Sequence, residues 1–414
     1  MPETTGLIVL AFSGGLDTSF CVPWLKETYG RAVATVTVDT GGLDDDARSE
    51  LARRSLELGA ATHELIDARA AFFDETLKYL VMGNVLRGGL YPLCVGAERG
   101  LQARLVAEAA RRLGAKAVAH GCTAAGNDQV RFEVALRTLA PDLEIIAPVR
   151  DRAFSRQYEA DYLQNRGVPA SAARAAYSVN RGLWGVTIGG KETTDTVDPL
   201  PESAWVLSRG AFDAPAEPRR LAIRFEAGVP VALDGVRMDP IRLTEELETV
   251  GARYGIGRGV HLGDTILGLK GRVAFEAPAA HLLVLAHREL EKLVLTARQQ
   301  RLKEIVSLSY GDWVHEGQFL DPACRDAEAL LTSSQESVVG ETKLLLRPGV
   351  AYVEGVSSPR SLKAASRAVY GESAGEWTPE DARGFSRVLA LPSMLAARAK
   401  SQEAASRAAA ESAR

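Results

Sequence analysis

"LIVLAFSGGLDTSF", residues 7–20, runs from a short apolar stretch into what reads as the start of a helix. Leu7, Ile8, Val9 and Leu10 make a strand candidate of the kind that parallel sheets bury on both faces. Between strand and helix stand Gly14 and Gly15 with Ser13, Asp17, Thr18 and Ser19. Adjacent glycines let the backbone approach a ligand closely, and the hydroxyls and the first free amides of the helix point at the same place. Such a nest favours an anion, above all a phosphate. No lysine follows the glycines, so this is not the GxxxxGK[ST] loop, and it is not GxGxxG. For the SGG triplet alone, a tight glycine turn with a capping serine is the structural alternative.

Outward from this stretch the chain alternates. Leu7–Phe12 reads as a strand, Thr18–Tyr29 as a helix, Ala32–Val38 as a strand and Asp45–Leu58 as an acid-capped helix. Leu101–Leu113 continues as an amphipathic helix, Ala117–His120 as a strand, Gln129–Leu139 as a helix and Leu143–Ala147 as a strand. This rhythm predicts βαβ units in a parallel sheet, whose ligands sit at the carboxyl ends of the strands. "AFSGGLDTS" and "HGCTAAGNDQ" both fall there. Glycine and proline rise from about residue 180, and "LAIRFEAGVPVALDG" reads as a hairpin turning near Gly228-Val229-Pro230. Leu283–Val306 reads as one helix, "VVGETKLLLRPGVAYVEGV" as another hairpin, and Ala390 onward as a terminal helix fraying beyond about Lys400. The expected fold class is α/β: a Rossmann-like nucleotide-binding domain over 1–170, an α+β domain over 171–375, and a C-terminal helical arm and tail over 376–414.

Composition sets the bounds. The 414 residues exceed the size at which one core keeps growing, so two domains plus an extension are expected. A net charge of −4 argues against a nucleic-acid surface spread over the molecule. Cys21, Cys94, Cys122 and Cys324 are scattered, without CxxC or zinc-ligand spacing, so reduced thiols and no metal cluster are expected. No apolar run has membrane-spanning length and the N-terminus lacks a signal-peptide pattern, which gives the expectation of a cytoplasmic protein without membrane or nucleic-acid partners.

"HGCTAAGNDQVRFE", residues 120–133, is a strand end, a glycine-bearing loop, and a helix capped by Asn127 or Asp128 with Arg131 one turn in. A loop offering Thr, Asn, Asp and Arg opposite a phosphate nest suits an amino acid held by its ammonium and carboxylate. His120 reads as a satisfied strand-end histidine rather than a general base.

Two strings carry a family resemblance. "SGGLDTS" resembles the SGGxDS loop of the ATP pyrophosphatase superfamily, with the aspartate at Asp17 and the serine displaced by one, to Ser19; that insertion looks like argininosuccinate synthase. "HGCTAAGNDQVRFE" is similar to that family's HGxTGKGNDQVRFE, differing at Ala124 and Ala125, and "LAPDLEIIAPVRD", "GVPVALDG", "YGIGRG" and "SSQESVVGE" follow in family order. The resemblance covers most of residues 7–393. It implies an AMP-forming carbon–nitrogen ligase of arginine biosynthesis that joins citrulline to aspartate with ATP and Mg2+, assembled as a homotetramer through C-terminal helices. By the same resemblance Ala11, Phe12, Ser13, Gly14, Gly15, Leu16, Asp17, Thr18, Ser19, Val38 and Gly121 bind ATP, with Ser13 and Asp17 catalytic. Thr123, Asn127 and Asp128 bind aspartate, while Tyr91, Asn127, Arg131, Ser178 and Thr187 face the acceptor.

The acceptor pocket departs from the family. Tyr91 and Arg99 match the ends of YxLxTSLAR, but Val95 and Gly96 replace its threonine and serine. Ser178 matches a family serine and Thr187 replaces the second. In "HLGDTILGLKGRVAFE" the family glutamate aligns with Gly263 and its tyrosine with Phe275, and a shifted local alignment places Asp264 at the glutamate. One lost charge-assisted hydrogen bond weakens an unchanged citrulline mode by about ten- to a hundredfold. The departures leave open an aspartate ligase for another acceptor. A nucleotide-binding protein without chemistry is the alternative of another class, and the retained phosphate and aspartate strings speak against it.

Overall fold

The computed structural model describes residues 6–169, 177–213, 216–367 and 375–413. Contacts divide it into one compact unit running to Pro359 and a second from Arg360.

In the first unit β1 (Ile8–Ala11), β2 (Val33–Asp39), β3 (Thr62–Asp67), β4 (Ala117–Ala119) and β5 (Glu144–Ile146) form an all-parallel sheet in the order β3-β2-β1-β4-β5. Ile8, Val9 and Leu10 are wholly buried, as covering helices on both faces require. Strand order reverses between β1 and β4, so the crevice for a ligand opens where their carboxyl ends part. Ser13 leaves β1 at that point and His120 leaves β4. The helix Asp45–Glu57 is acid-capped as expected, with Asp44 accepting from the Ala47 amide at 2.8 Å.

Two antiparallel sheets complete the unit. One has the order β11-β12-β7-β6, built from β6 (Ser178–Gly182), β7 (Gly185–Gly189), β11 (Arg258–Asp264) and β12 (Lys270–Glu276). The other, β10-β9-β8-β13-β14, contains both expected hairpins: β8 (Arg219–Glu226) with β9 (Val229–Leu233), and β13 (Gly340–Arg347) with β14 (Val350–Ser357); β10 is Val236–Arg237. Leu221, Ile223 and Phe225 alternate inward along β8 onto the core that also holds Trp184, Phe275 and Tyr310. The β6–β7 turn reaches the parallel sheet, where the Leu183 amide donates to Thr40 O at 3.0 Å.

Two helix expectations need correction. Leu283–Val306 is not one helix: Pro278–Val294 ends at Leu295, and Ala297–His315 starts from a capping box in which Thr296 and Gln299 satisfy each other's backbone amides. In the second unit the terminal helix begins before Ala390 and does not end near Lys400. It spans Pro379–Ser412 behind a Thr378–Asp381 capping box.

Candidate active site

A cleft of about 1070 Å³ opens at the β1/β4 switch point and extends under β6, β7 and the β11–β12 hairpin. Its switch-point end is made of backbone and short side chains. Gly14 sits at φ +74°, and a Cβ there would lie 2.4 Å from Leu51 Cδ2. Gly15 opens the helix Leu16–Tyr29 without a side-chain cap, so the capping-serine alternative fails and the first amides of the helix stay available. The Ser13 and Thr18 hydroxyls lie 3.2 Å apart, and Thr18 donates to Gly15 O at 3.4 Å. On the facing loop, a Cβ at Gly121 would lie 3.0 Å from Thr18 Cγ2 and 3.2 Å from its amide nitrogen, so a side chain there would push the two loops apart by a few tenths of an ångström.

Asp17 faces the cleft with the Arg156 guanidinium 3.9 Å away. Behind it, Glu159 is pushed up to about 8 by burial and by the Asp17 charge, and its Oε2 is buried without a hydrogen-bond partner. His120 accepts the Cys122 amide on Nδ1 at 3.3 Å, which leaves the proton on a buried, unpartnered Nε2. Burial, reinforced by Arg150, pushes it down to about 4. With its lone pair occupied, this ring is not a base for the cleft, and it is satisfied on one side only.

In the middle of the cleft, Asn127 and Asp128 do not cap the helix Asn127–Leu139, whose N-cap is Gly126. Tertiary partners take them instead. Asn127 Oδ1 accepts the Ile266 amide at 2.9 Å from the β11–β12 turn. Asp128 accepts from Arg99 Nε at 3.0 Å and Arg131 Nη1 at 2.8 Å; burial opposes its charge, but the two guanidiniums hold its carboxyl below the usual range. Arg99 also donates to Glu98 Oε1 at 3.0 Å, and Thr40 Oγ1 donates to Glu98 Oε2 at 2.5 Å. Burial pushes Glu98 up to about 7 against the pull of Arg99.

The far end is filled by long side chains lying over glycines. Arg131 donates from Nε to His315 O at 2.8 Å and sits against Gly96, where a Cβ would lie 3.2 Å from its Cζ. His261 stacks on Tyr91 with centroids 5.3 Å apart and folds over Gly263, where a Cβ would lie 2.5 Å from its Nε2.

A model described as the arginosuccinate synthase N-terminal HUP domain matches residues 7–169, and one described as the arginosuccinate synthase C-terminal domain matches 177–396. The chain is 43% identical to the argininosuccinate synthase of Xanthomonas campestris pv. campestris over 94% of this chain and 97% of that one. The chain belongs to the argininosuccinate synthase family. Its identity to the argininosuccinate synthase of the archaeon Pyrobaculum aerophilum is 41%, over 94% of this chain and 98% of that one. The one from Methanocaldococcus jannaschii is 38% identical, over 86% and 89% respectively.

Of the positions that resemble family ligands, Ala11, Phe12, Ser13, Gly15, Leu16, Asp17, Thr18, Val38, Tyr91, Gly121, Thr123, Asn127, Asp128, Arg131, Ser178 and Thr187 line the cleft. Gly14 and Ser19 do not. Ser19 is wholly buried, donates to Gly14 O at 3.3 Å and accepts from Arg54 Nε at 3.0 Å, so it braces the loop from behind. Phe275 is also away from the cleft wall, wholly buried with its Cζ over Gly259. Glu98 and His315 line the cleft without having been singled out from the sequence. For Glu98 a signal existed, since it stands where YxLxTSLAR carries alanine; His315 had none.

Proposed function

We propose that the chain is a carbon–nitrogen ligase that adenylates citrulline with ATP, releases pyrophosphate, and joins the activated carbon to the amine of aspartate with release of AMP. The observation that carries this reading is the meeting of the Ser13–Ser19 loop and the Gly121–Asp128 loop at one switch-point crevice, with Gly121 packed closely on Thr18. In the first half-reaction the ureido oxygen forms a bond to the α-phosphorus as the bond to pyrophosphate breaks. The amides opening the helix Leu16–Tyr29 and the Ser13 and Thr18 hydroxyls hold the phosphates and oppose the charge that grows on the leaving oxygen. In the second, the neutral aspartate amine, held by Thr123, Asn127 and Asp128, forms the carbon–nitrogen bond as AMP departs. Placement of the two reactants carries much of this step.

Mg2+ is held in such sites through one or two carboxylates and the substrate phosphates. Asp17, a carboxylate on the wall of the cleft, fits that donor chemistry. When bound, the ion supplies neutralisation of phosphate charge. Among the described residues there is no group of three or more His, Cys, Asp or Glu side chains suited to a metal, and no helix is long and apolar enough to cross a membrane. The four cysteines are free thiols, which suits a reducing cytoplasm. Residues 1–170 serve as the nucleotide-binding part, 171–375 as the catalytic part and 376–414 as an arm. Exposed Phe385, Val388, Leu389, Met394 and Leu395 on that arm support assembly as a homotetramer in arginine biosynthesis.

The test is pyrophosphate release with ATP, aspartate and citrulline together and with each omitted. Release that depends on both amino acids is expected; ATP binding without citrulline-dependent release overturns the reading.

A further inference from the structure

The tip of the β11–β12 hairpin reaches across the cleft to Asn127 and is held there by little. Below the tip the hairpin is anchored, since Arg272 donates to Glu192 O at 2.8 Å and to Asp198 O at 2.9 Å. Gly263 and Gly271 then face each other across the ladder, a pair with no side chains to pack. Beyond the last pair, Asp264 with Lys270, the residues Thr265–Leu269 bond to one another. The Thr265 amide donates to Leu269 O at 2.7 Å, the Leu269 amide to Thr265 Oγ1 at 3.1 Å and the Gly268 amide to Thr265 O at 3.0 Å. The result is a self-bonded flap on a glycine hinge. Leu267 and Leu269 are 47% and 67% exposed and do not pin it, and the Asp264–Lys270 pair is exposed as well.

The flap meets the facing wall through the Ile266 amide, which donates to Asn127 Oδ1 at 2.9 Å, while the Asp264 carbonyl lies against His315. Asn127, Asp264 and Thr265 all line the cleft. A backbone amide can only donate, so Oδ1 turns to the flap and Nδ2, a donor, is left for the cleft. Among the described residues no other hydrogen bond orients the Asn127 amide.

Resting on the ligase reading above, we infer that the Thr265–Leu269 tip is a lid latched on Asn127: closed, it presents Nδ2 to a substrate oxygen and keeps water from the activated acceptor until the aspartate amine attacks. Opening breaks one neutral hydrogen bond, which suits a lid that must admit substrates and release product. The step it prevents is hydrolysis. Water oxygen would bond to the activated carbon as the bond from that carbon to the AMP oxygen breaks, and both water protons would go to solvent. The acceptor is then regenerated while ATP is lost as AMP and pyrophosphate.

Two variants of the whole enzyme open the lid: replacement of Thr265–Leu269 by Asn-Gly, which joins Asp264 to Lys270 through a two-residue turn, and Ile266→Pro, which removes the one amide proton. Ile266→Ala keeps that proton. With ATP, aspartate and citrulline, wild type and Ile266→Ala are expected to release about one pyrophosphate per carbon–nitrogen product, and both lid variants about threefold more or above. In heavy-oxygen water the excess should carry label into the recovered citrulline. A ratio of about one in both lid variants overturns the inference. So does label in AMP rather than in citrulline, which is plain ATP hydrolysis. Loss of all turnover in both variants while α,β-methylene-ATP still binds also overturns it, because the tip would then act before the intermediate forms. A wild type that releases no pyrophosphate would overturn the ligase reading instead. In that case, or where the lid variants no longer bind α,β-methylene-ATP, amide exchange decides: Asn127→Ala is expected to speed exchange of the Ile266 amide by about three- to tenfold, the loss of one neutral bond, and an unchanged rate overturns the lid.

Discussion

The two ends of the cleft are built on opposite plans. At the nucleotide end, Ser13–Ser19 and Gly121 present backbone and short side chains, and the glycines leave space that another loop or a ligand needs. At the acceptor end, Gly96 and Gly263 leave space that the protein's own Arg131 and His261 occupy. On the proposed function the first plan meets a constant chemical group, a triphosphate, with amides that any sequence supplies. The second reads a particular molecule and depends on side chains brought from distant segments, so it can change while the first stays fixed.

If that contrast is right, the largest effects belong to the nucleotide end. Asp17→Ala is expected to lower pyrophosphate formation by about 10²–10³-fold, the usual loss for one group aimed at developing charge, with little change in melting temperature. Neighbouring glycines should then separate. Gly15 has φ −68° and its Cβ would lie 3.5 Å from Ser13 Oγ, so Gly15→Ala should fold normally, and any loss of ATP binding reports space taken from the phosphates. Gly14→Ala meets both positive φ and Leu51, so its loss should appear first in thermal stability. Equal melting temperatures for the two variants would break the distinction.

Asp128 joins the two ends, since it holds Arg99 and Arg131 together. Asp128→Ala should therefore raise the KM of aspartate and of the acceptor together, each by about tenfold or more, because two guanidiniums lose the carboxylate they share. A rise confined to aspartate would mean that Arg131 does not serve the acceptor.

A smaller effect sharpens the acceptor end. Gly263→Glu alone should bind acceptors poorly, because its Cβ falls 2.5 Å from His261 Nε2. With His261→Ala added, the new carboxylate has room, and selectivity for citrulline over 5-ureidopentanoate, which lacks only the α-amino group, should rise by about tenfold or more. No change in that ratio would show that position 263 does not face the α-carbon.

The same contrast explains what could be read from the chain. The buried run Ile8–Leu10, the glycines after it and the β-branched Val33–Val38 segment act locally, and the parallel sheet and its crevice follow from them. The edge strand Thr62–Asp67 alternates weakly and carries half-exposed residues, so no apolar pattern marks it. At Leu295–Thr296 the apolar periodicity continues across the break, and the capping-box residues Thr296 and Gln299 were the signal to weigh instead. Asn127 and Asp128 are good caps by type, yet Ile266 and Arg99 claim them from 139 and 29 residues away. His315 reaches Arg131 across 184 residues, a pairing that no local pattern encodes.

The smallest predicted effect concerns Glu98, the buried acid between the two ends. Its folded value of about 7 lies above the ordinary 4.5, so the folded protein holds this proton more tightly than the unfolded chain does. Its contribution to stability is therefore complete below about pH 4.5 and is lost as pH rises through about 7. His120 and His315, pushed down to about 4 and about 3, act in the opposite sense: the fold gains stability as pH rises from those values to about 6.5. The two slopes oppose each other in the raw melting curve, so the informative quantity is the difference between wild type and Glu98→Gln, in which the histidines cancel. Glutamine resembles the protonated acid in shape: its carbonyl oxygen can accept from Arg99 while its amide nitrogen donates to the Thr40 hydroxyl oxygen. The variant should match wild type at pH 5 and melt about 2–4 °C higher at pH 8, where wild type must bury a charge and the amide does not. A difference that does not vary with pH would mean Glu98 titrates normally, its charge fully met by Arg99. A variant that loses stability on going from pH 5 to 8 would reverse the sign and make Arg99–Glu98 a favourable ion pair rather than a strained one.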